Sequence, residues 1–477
     1  MPEPTRPAVA VVTLSLALAA AGAAAGPPTA LPVDPSTGPP IGPPIGPPTL
    51  GEVRPGPPPS ASPAFEVPNT PVLRGDPVAV RLTGLEPGAV VAVSAERTWG
   101  RRPASVHRST ATFRADADGN VDVRTAVPVE APWEGADPAG FFWSMTPTDD
   151  AVPEGRSSSV VLFSVDVDGD GAPDATATVR SVRGVEGLRE LPLGDDYPGA
   201  FLLLPPAEEP APVVVVLGGS EGGDSTARGV APKLASRGFA VLGLPYYSPD
   251  RWGRERQFPD LPRAFHDIPV DRLERVRDLL AAREDVRGDR VALYGVSKGA
   301  ELALLAASRI EGFAAVVAIV PSDVVWEGWG PGTEEGACSS FAWRGEALPF
   351  VPYVGMSAEI AKYRTGETVR IRTPHDAGRA AHPDRVAPAR IDVASIDEPV
   401  FLLGGGADDT WDSGGMAKSV AAARTASDLP TVTIVDEDAG HRLSGDGYTP
   451  GNAANARVQS RAFPAMIAFL SEHLRKD

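Results

Sequence analysis

A serine hydroxyl is a poor nucleophile at neutral pH. It needs a base to take its proton, a third group to orient that base, and N–H donors for the oxyanion that forms. One segment of this 477-residue chain has the form such chemistry requires: Gly295-Val296-Ser297-Lys298-Gly299. Residues 291–294 (Val-Ala-Leu-Tyr) read as a buried strand leading in. Residues 298–304 (Lys-Gly-Ala-Glu-Leu-Ala-Leu) read as a helix leading out. The pattern predicts that Ser297 stands on a sharp strand-to-helix turn, where the two glycines allow close backbone approach. The Lys298 N–H, first after the nucleophile and at a helix N-terminus, is a candidate oxyanion donor. A second candidate donor comes from Gly218-Gly219-Ser220-Glu221-Gly222-Gly223, at Ser220 or Glu221. That loop is not a phosphate loop, because no Gly-Lys-Ser/Thr follows it.

The acid of such a site should follow a later strand. Phe401-Leu402-Leu403-Gly404-Gly405-Gly406-Ala407-Asp408-Asp409 fits and offers two aspartates. If the strand closes at Gly406, a spacing of three selects Asp409 and leaves Asp408 to hydrogen-bond the turn. The base should lie in the loop after the final strand, 431–435, where His441 stands in Ala439-Gly440-His441-Arg442. The other five of the six histidines fit less well. His107 lies in an upstream β region, His266 precedes a helix too early in the order, His375 and His382 fall in an insertion, and His473 falls in the terminal helix. The order serine, acid, histidine is that of the α/β-hydrolases.

The elements needed to hold these residues are present in the pattern. Continuous apolar runs at 212–217, 239–244, 290–294, 313–320 and 400–403 alternate with helical periods at 227–237, 270–283 and 298–308. This predicts a mostly parallel sheet covered by helices, over 186–477. The pattern lapses between 321 and 395, where Trp326, Trp329, Trp343, Phe350 and Tyr353 gather among glycines and prolines. That stretch reads as a functional insertion, a lid over the site. Upstream, 64–185 shows short strands and recurrent acidic Gly turns, which predict an all-β, immunoglobulin-like sandwich of about seven strands.

Residues 1–26 read as an export signal: Arg6, an apolar run from 8 to 20, then small residues at 21–25. An uncleaved anchor is the rival reading, although the run is short for a membrane span. Pro and Gly dominate 27–63, with Gly-Pro-Pro-Ile repeated at 38–41 and 42–45, as in an extended spacer. Together these predict an exported protein, extracellular or in the cell envelope, with no stable membrane insertion after signal cleavage. Cys338 is the only cysteine, so no intramolecular disulfide forms. A formal charge of −18 excludes a nucleic-acid partner of the usual basic kind and gives no overall attraction for coenzyme A. Asp166, Asp168, Asp170 and Asp174 occupy the first, third, fifth and ninth positions of a calcium-loop pattern, but Ala177 stands at the twelfth, where a bidentate Glu belongs. An acidic hairpin turn is the plainer reading, so no metal is assigned. Nothing in the sequence sets the oligomeric state.

On these residues the chain resembles the acyl-CoA thioesterases and bile-acid-CoA:amino-acid N-acyltransferases. The likeness rests on Gly295-Val296-Ser297-Lys298-Gly299-Ala300-Glu301, Gly406-Ala407-Asp408-Asp409-Thr410-Trp411-Asp412-Ser413, Ala439-Gly440-His441 and Pro245-Tyr246-Tyr247. In the first domain it rests on Phe113-Arg114-Ala115-Asp116, Gly119-Asn120-Val121-Asp122 and Phe142-Trp143-Ser144-Met145. The resemblance implies a triad of Ser297, Asp409 and His441, no cofactor, and a small acyl thioester or ester as substrate. Members with serine in the elbow tend to hydrolyse and those with cysteine to transfer the acyl group to an amine, so serine here favours hydrolysis. The alternatives are acyl transfer to an amine acceptor and a non-catalytic cell-envelope binding protein on a hydrolase scaffold. The export signal and spacer depart from the intracellular relatives, where coenzyme A is plentiful.

Overall fold

The structure is a computed structural model that describes residues 62–100, 104–152, 158–250, 255–448 and 451–475. The signal segment 1–26 and all but the last two residues of the spacer 27–63 lie outside the described residues. Among the described residues no helix is long and apolar enough to cross a membrane.

The N-terminal region forms two sheets. The larger runs Val72–Leu73, Ala175–Val182, Val160–Asp166, Val90–Trp99, Ser105–Arg114, Thr146–Pro147 in spatial order, and the smaller joins Ala64–Glu66, Arg81–Thr83 and Val121–Asp122. Alternation sets the faces: Val91, Val93 and Ala95 are buried while Val90 is exposed. Strand pairing begins only at Arg81, yet Val78 and Val80 before it are buried in the core. Phe113, Phe141, Phe142 and Phe163 fill the space between the sheets, with Phe141 edge-on to Phe163 at 5.7 Å.

The second region is built on an eight-stranded sheet: β1 (Arg189–Pro192), β2 (Phe201–Leu204), β3 (Ala211–Leu217), β4 (Ala240–Gly243), β5 (Val286–Val296), β6 (Ala315–Ile319), β7 (Val400–Gly405) and β8 (Thr431–Asp436). Their spatial order is β1-β2-β4-β3-β5-β6-β7-β8, and only β2 runs against the others. Alternate residues of each strand feed opposite cores. Val213, Val215 and Leu293 face α2 (Arg272–Ala281), α3 (Lys298–Ala307) and α4 (Ser413–Thr425). Val214, Val216 and Tyr294 face α1 (Ser225–Ala235) and α5 (Ala453–Leu474). Burial on both faces is why these strands read as unbroken apolar runs. This is the α/β-hydrolase fold, preceded by a β domain.

The stretch between β6 and β7 is folded. It contains a hairpin, Phe341–Trp343 with Glu346–Ala347, and the helices Met356–Ala361, Arg372–Ala381 and Pro383–Ala389. The hairpin is extended by Ile268–Pro269 from the segment before α2. Its aromatic and apolar residues, Trp326, Tyr353, Met356 and Ile371, form a cluster that also takes in Trp411 and Met416 from the chain after β7.

Candidate active site

Ser297 connects β5 to α3 with φ 57° and ψ −121°, a region costly for a residue with a side chain. The turn is tight for a measurable reason. A Cβ on Gly295 would lie 2.1 Å from Gly299 O, and one on Gly299 would lie 2.3 Å from Leu217 O and 2.4 Å from Gly218 O. Strand, helix and the loop after β3 therefore meet there only because both positions lack side chains. The Ser297 N–H donates to Ile319 O at 2.9 Å, which fixes the turn to β6.

His441 reaches Ser297 from the loop after β8. Its Nε2 is 2.9 Å from Ser297 Oγ. Its Nδ1 is 2.8 and 3.0 Å from the two carboxylate oxygens of Asp408. The acid that meets the histidine is thus Asp408, and the assignment of Asp409 is corrected. The expected spacing of three holds, but it counts from Gly405, where β7 ends, and not from Gly406. Asp408 is 1% exposed, whereas the Asp409 side chain is exposed and its backbone carbonyl accepts from Arg372 N–H at 2.9 Å.

Asp408 is held at every lone pair. Oδ1 accepts from Thr410 N–H at 2.8 Å and Trp411 N–H at 3.2 Å, and Oδ2 accepts from the Ser413 hydroxyl. Burial pushes its carboxyl pKa up, but His441, Ser413 and the Thr410 amide outweigh that and hold it below the usual carboxylate range. An ionised Asp408 then accepts from Nδ1–H, which leaves Nε2 as the acceptor facing Ser297. Ser297 and His441 are only 6% and 7% exposed.

The loop after β3 lies against the nucleophile. A Cβ on Gly219 would come within 3.2 Å of Ser297 Cβ. The Glu221 carboxylate folds back to accept from Gly219 N–H at 3.1 Å and from the Thr226 hydroxyl, and Tyr246 Oη donates to Gly218 O at 2.6 Å. Ser220 is buried in this loop. Lys298 begins α3, and the N–H groups of Ala300 and Glu301 both donate to Ser297 O.

Several side-chain contacts around the site were not read from sequence. Lys298 turns its ammonium under the insertion: Nζ is 2.7 Å from Glu301 Oε2 and 2.8 Å from Ser340 Oγ, and lies 5.0 Å from the Phe341 ring centre. Glu301 Oε1 accepts from Trp326 N–H at 3.1 Å. Burial lowers the Lys298 pKa and raises that of Glu301, each opposed by the partner's charge. An aromatic wall runs from the insertion to the histidine: Trp326 edge-on to His375 at 4.6 Å, His375 to Trp411 at 5.6 Å, Trp411 to His441 at 5.6 Å. His375 donates Nδ1–H to Ile371 O at 2.8 Å, and burial pushes its pKa down to about 3. A cavity of about 790 Å³ lies elsewhere, beside β1 and β2, lined by Glu190, Tyr197, Phe201, Asp224 and Phe258 among others but by none of Ser297, Asp408 or His441.

The calcium-loop residues form the hairpin between Val160–Asp166 and Ala175–Val182. The carboxylates of Asp166, Asp168 and Asp174 approach one another within 4.8 Å, and Asp170 is not in that group. Asp166 accepts from Gly169 and Gly171 N–H, Asp174 from Val167 N–H, and Asp168 from Asp170 N–H. These are turn-capping bonds on an exposed hairpin.

The sheet order and the strained serine turn define an α/β-hydrolase. Residues 75–180 match the Acyl-CoA thioester hydrolase/BAAT N-terminal region, and residues 269–463 match the BAAT / Acyl-CoA thioester hydrolase C terminal region. The chain belongs to the acyl-CoA thioester hydrolase/BAAT family. Residues 199–327 also match the dienelactone hydrolase family. Curated relatives include acyl-coenzyme A thioesterase 1 of Rattus norvegicus, 30% identical over 251 residues, which are 51% of this chain and 57% of that one. Acyl-coenzyme A thioesterase 2, mitochondrial, of Rattus norvegicus is 30% identical over 51% of this chain and 52% of its own length. Acyl-coenzyme A thioesterase 6 of Homo sapiens is 31% identical over 51% of this chain and 56% of its own length. The chain thus spans little more than half the length of the curated relatives it matches.

Proposed function

We propose that this protein hydrolyses a small acyl thioester or ester through an acyl-enzyme on Ser297, with a triad of Ser297, His441 and Asp408. Ser297 Oγ attacks the acyl carbonyl carbon as its proton passes to His441 Nε2. The tetrahedral oxyanion is held by backbone N–H groups, with Lys298 on one side and Ser220 or Glu221 on the other. Collapse breaks the bond to sulfur or oxygen, and His441 returns the proton to the leaving group. Water then attacks the acyl-enzyme with His441 again as base, releasing the acid and restoring Ser297. Asp408 keeps the proton on Nδ1 and stabilises the imidazolium. The observation that supports this reading most is the unbroken hydrogen-bond chain, 2.9 Å from Ser297 Oγ to His441 Nε2 and 2.8 Å from Nδ1 to Asp408.

The relatives' printed names point to acyl-coenzyme A as the thioester. The export signal read at 1–26 and the charge of −18 point to a leaving group other than the nucleotide, acted on outside the cell. The test is kcat/KM for one acyl chain carried on coenzyme A, on a short thiol and on a phenol, corrected for intrinsic reactivity, beside labelling by a serine-directed fluorophosphonate. Comparable values, with kcat falling roughly 10⁴-fold and labelling abolished in Ser297→Ala, are expected. A coenzyme A preference of about 10³-fold would refute the leaving-group reading. Activity of Ser297→Ala within about tenfold of wild type would refute the site.

A further inference from the structure

The loop that carries His441 does not end in its own domain. Seven residues on, Tyr448 leaves the hydrolase region and enters the β domain. Its ring stacks on Phe142 at 4.3 Å and is 2% exposed, inside the same core as Phe113 and Phe163. Its hydroxyl donates to the backbone oxygen of Asp76, and its own carbonyl accepts from the buried Arg97 guanidinium, both in the β domain. Between His441 and Tyr448 the loop has further ties. Gln459 Nε2 donates to Arg442 O at 2.7 Å, and the buried Asp446 pairs with Lys233 Nζ at 2.8 Å while accepting from Tyr448 N–H at 3.0 Å. Arg237, just past α1, closes the seam by donating to Arg74 O at 3.0 Å and to Asp76.

We propose that the β domain is a working part of the catalytic site, with Tyr448 as the positioning residue through which it sets the placement of His441. This rests on the reading of His441 as the base. The physical reason is chain stiffness. Asp446 and Tyr448 fix the end of a seven-residue span, and His441 at its start must hold a 2.9 Å bond to Ser297 and a 2.8 Å bond to Asp408 at once. A shift of about 1 Å at a reacting group costs on the order of 10²-fold in rate. No side chain of the β domain need touch substrate for its removal to cost turnover.

The test uses the full chain. Tyr448→Leu removes the stacked ring and the hydroxyl. Tyr448→Phe keeps the ring and removes only the hydroxyl bond. Val161→Ala, at a buried position of the β-domain core with no bond to the loop, is the control for lost stability. Each is read by kcat and KM separately, by the pH profile of fluorophosphonate labelling, and by Tm. We expect kcat to fall roughly tenfold or more in Tyr448→Leu, with KM within about twofold and the pH midpoint of labelling displaced. Tyr448→Phe should recover most of the loss, and Val161→Ala should lower Tm with kcat and midpoint unchanged. If Tyr448→Leu does not fold, Tyr448→Phe decides, by the same split on a scale of about two- to fourfold. The inference is overturned if kcat and midpoint stay at wild-type values while Tm falls as in Val161→Ala. Failure of the triad reading appears separately, as undiminished labelling in His441→Ala, and would overturn this inference with it.

Discussion

Exchanging Asp408 for Asn changes one atom, and the structure fixes what that atom does. The Oδ1 side of Asp408 meets only donors: Thr410 N–H at 2.8 Å, Trp411 N–H at 3.2 Å and His441 Nδ1 at 3.0 Å. An asparagine must therefore keep its carbonyl there and place its NH₂ at Oδ2, which lies 2.8 Å from His441 Nδ1. Two donors then face each other unless the imidazole moves its proton to Nε2. That tautomer accepts from the asparagine but cannot take the proton of Ser297, whose Oγ is 2.9 Å away. The expected loss is about 10⁴-fold in kcat, or about 5 kcal/mol of transition-state stabilisation, with KM little changed. The fold should survive, because the two amide bonds remain. One charge-assisted bond is weakened, at about 1–3 kcal/mol by denaturant unfolding. Asp409→Asn alters an exposed side chain and should stay within about threefold of wild type. The assay is single-substrate turnover of an acyl thioester with thiol release, on all three proteins at one pH. An inactive Asp409→Asn beside an active Asp408→Asn would refute the assignment.

Other substitutions probe the surroundings. His375 is neutral in the folded protein with a pKa near 3, against roughly 6.5 in an unfolded chain. Below about pH 6.5 the unfolded state binds the extra proton, so His375 should cost about 2 kcal/mol of stability by pH 5. His375→Leu should flatten unfolding free energy between pH 8 and 5, and an unchanged slope would count against it. Lys298→Met should cost about 3–5 kcal/mol because it leaves Glu301 buried and unpaired, while Lys298→Met with Glu301→Gln should cost less than the sum of the singles; strict additivity in denaturant titrations would show that the pair is not coupled. Gly299→Ala drives a Cβ to 2.3 Å from Leu217 O and should lower kcat at least about 10²-fold by displacing the turn, so near-normal turnover would mean the backbone gives way without cost.

What could be read in advance follows from how local each determinant is. The serine turn was legible because its glycines answer steric contacts within a few residues, as between Gly295 and Gly299 O at 2.1 Å. The central strands β3 to β7 were legible because two buried faces leave no polar alternation to confuse, whereas β1 and β2, Arg189–Pro192 and Phe201–Leu204, were not read from sequence. The acid was misplaced by one residue because Gly404-Gly405-Gly406 carries no side-chain pattern to mark where β7 stops pairing. The register with β8, in which Gly405 faces Asp436, marks it instead. Two-residue strands such as Val72–Leu73 and Thr146–Pro147 also escaped, since no periodicity can be seen in so short a run.

The remaining determinants are long-range, and Lys298 shows why they are out of reach. Its position in the turn announces what its amide does, because any residue after the nucleophile starts the helix. Its side chain obeys a different partner. Ser340 lies 42 residues away, in a hairpin whose own pairing strand, Ile268–Pro269, precedes the nucleophile by nearly thirty residues. The sequence assigns a role to the Lys298 amide and none to its ammonium. In the fold it is turned away under Phe341 and Trp329 and neutralised by Glu301, so its charge fastens the insertion to α3. In the proposed mechanism the oxyanion is met by backbone N–H dipoles, which cost no reorganisation during reaction and would suit thioesters and esters alike because they would touch only the acyl oxygen.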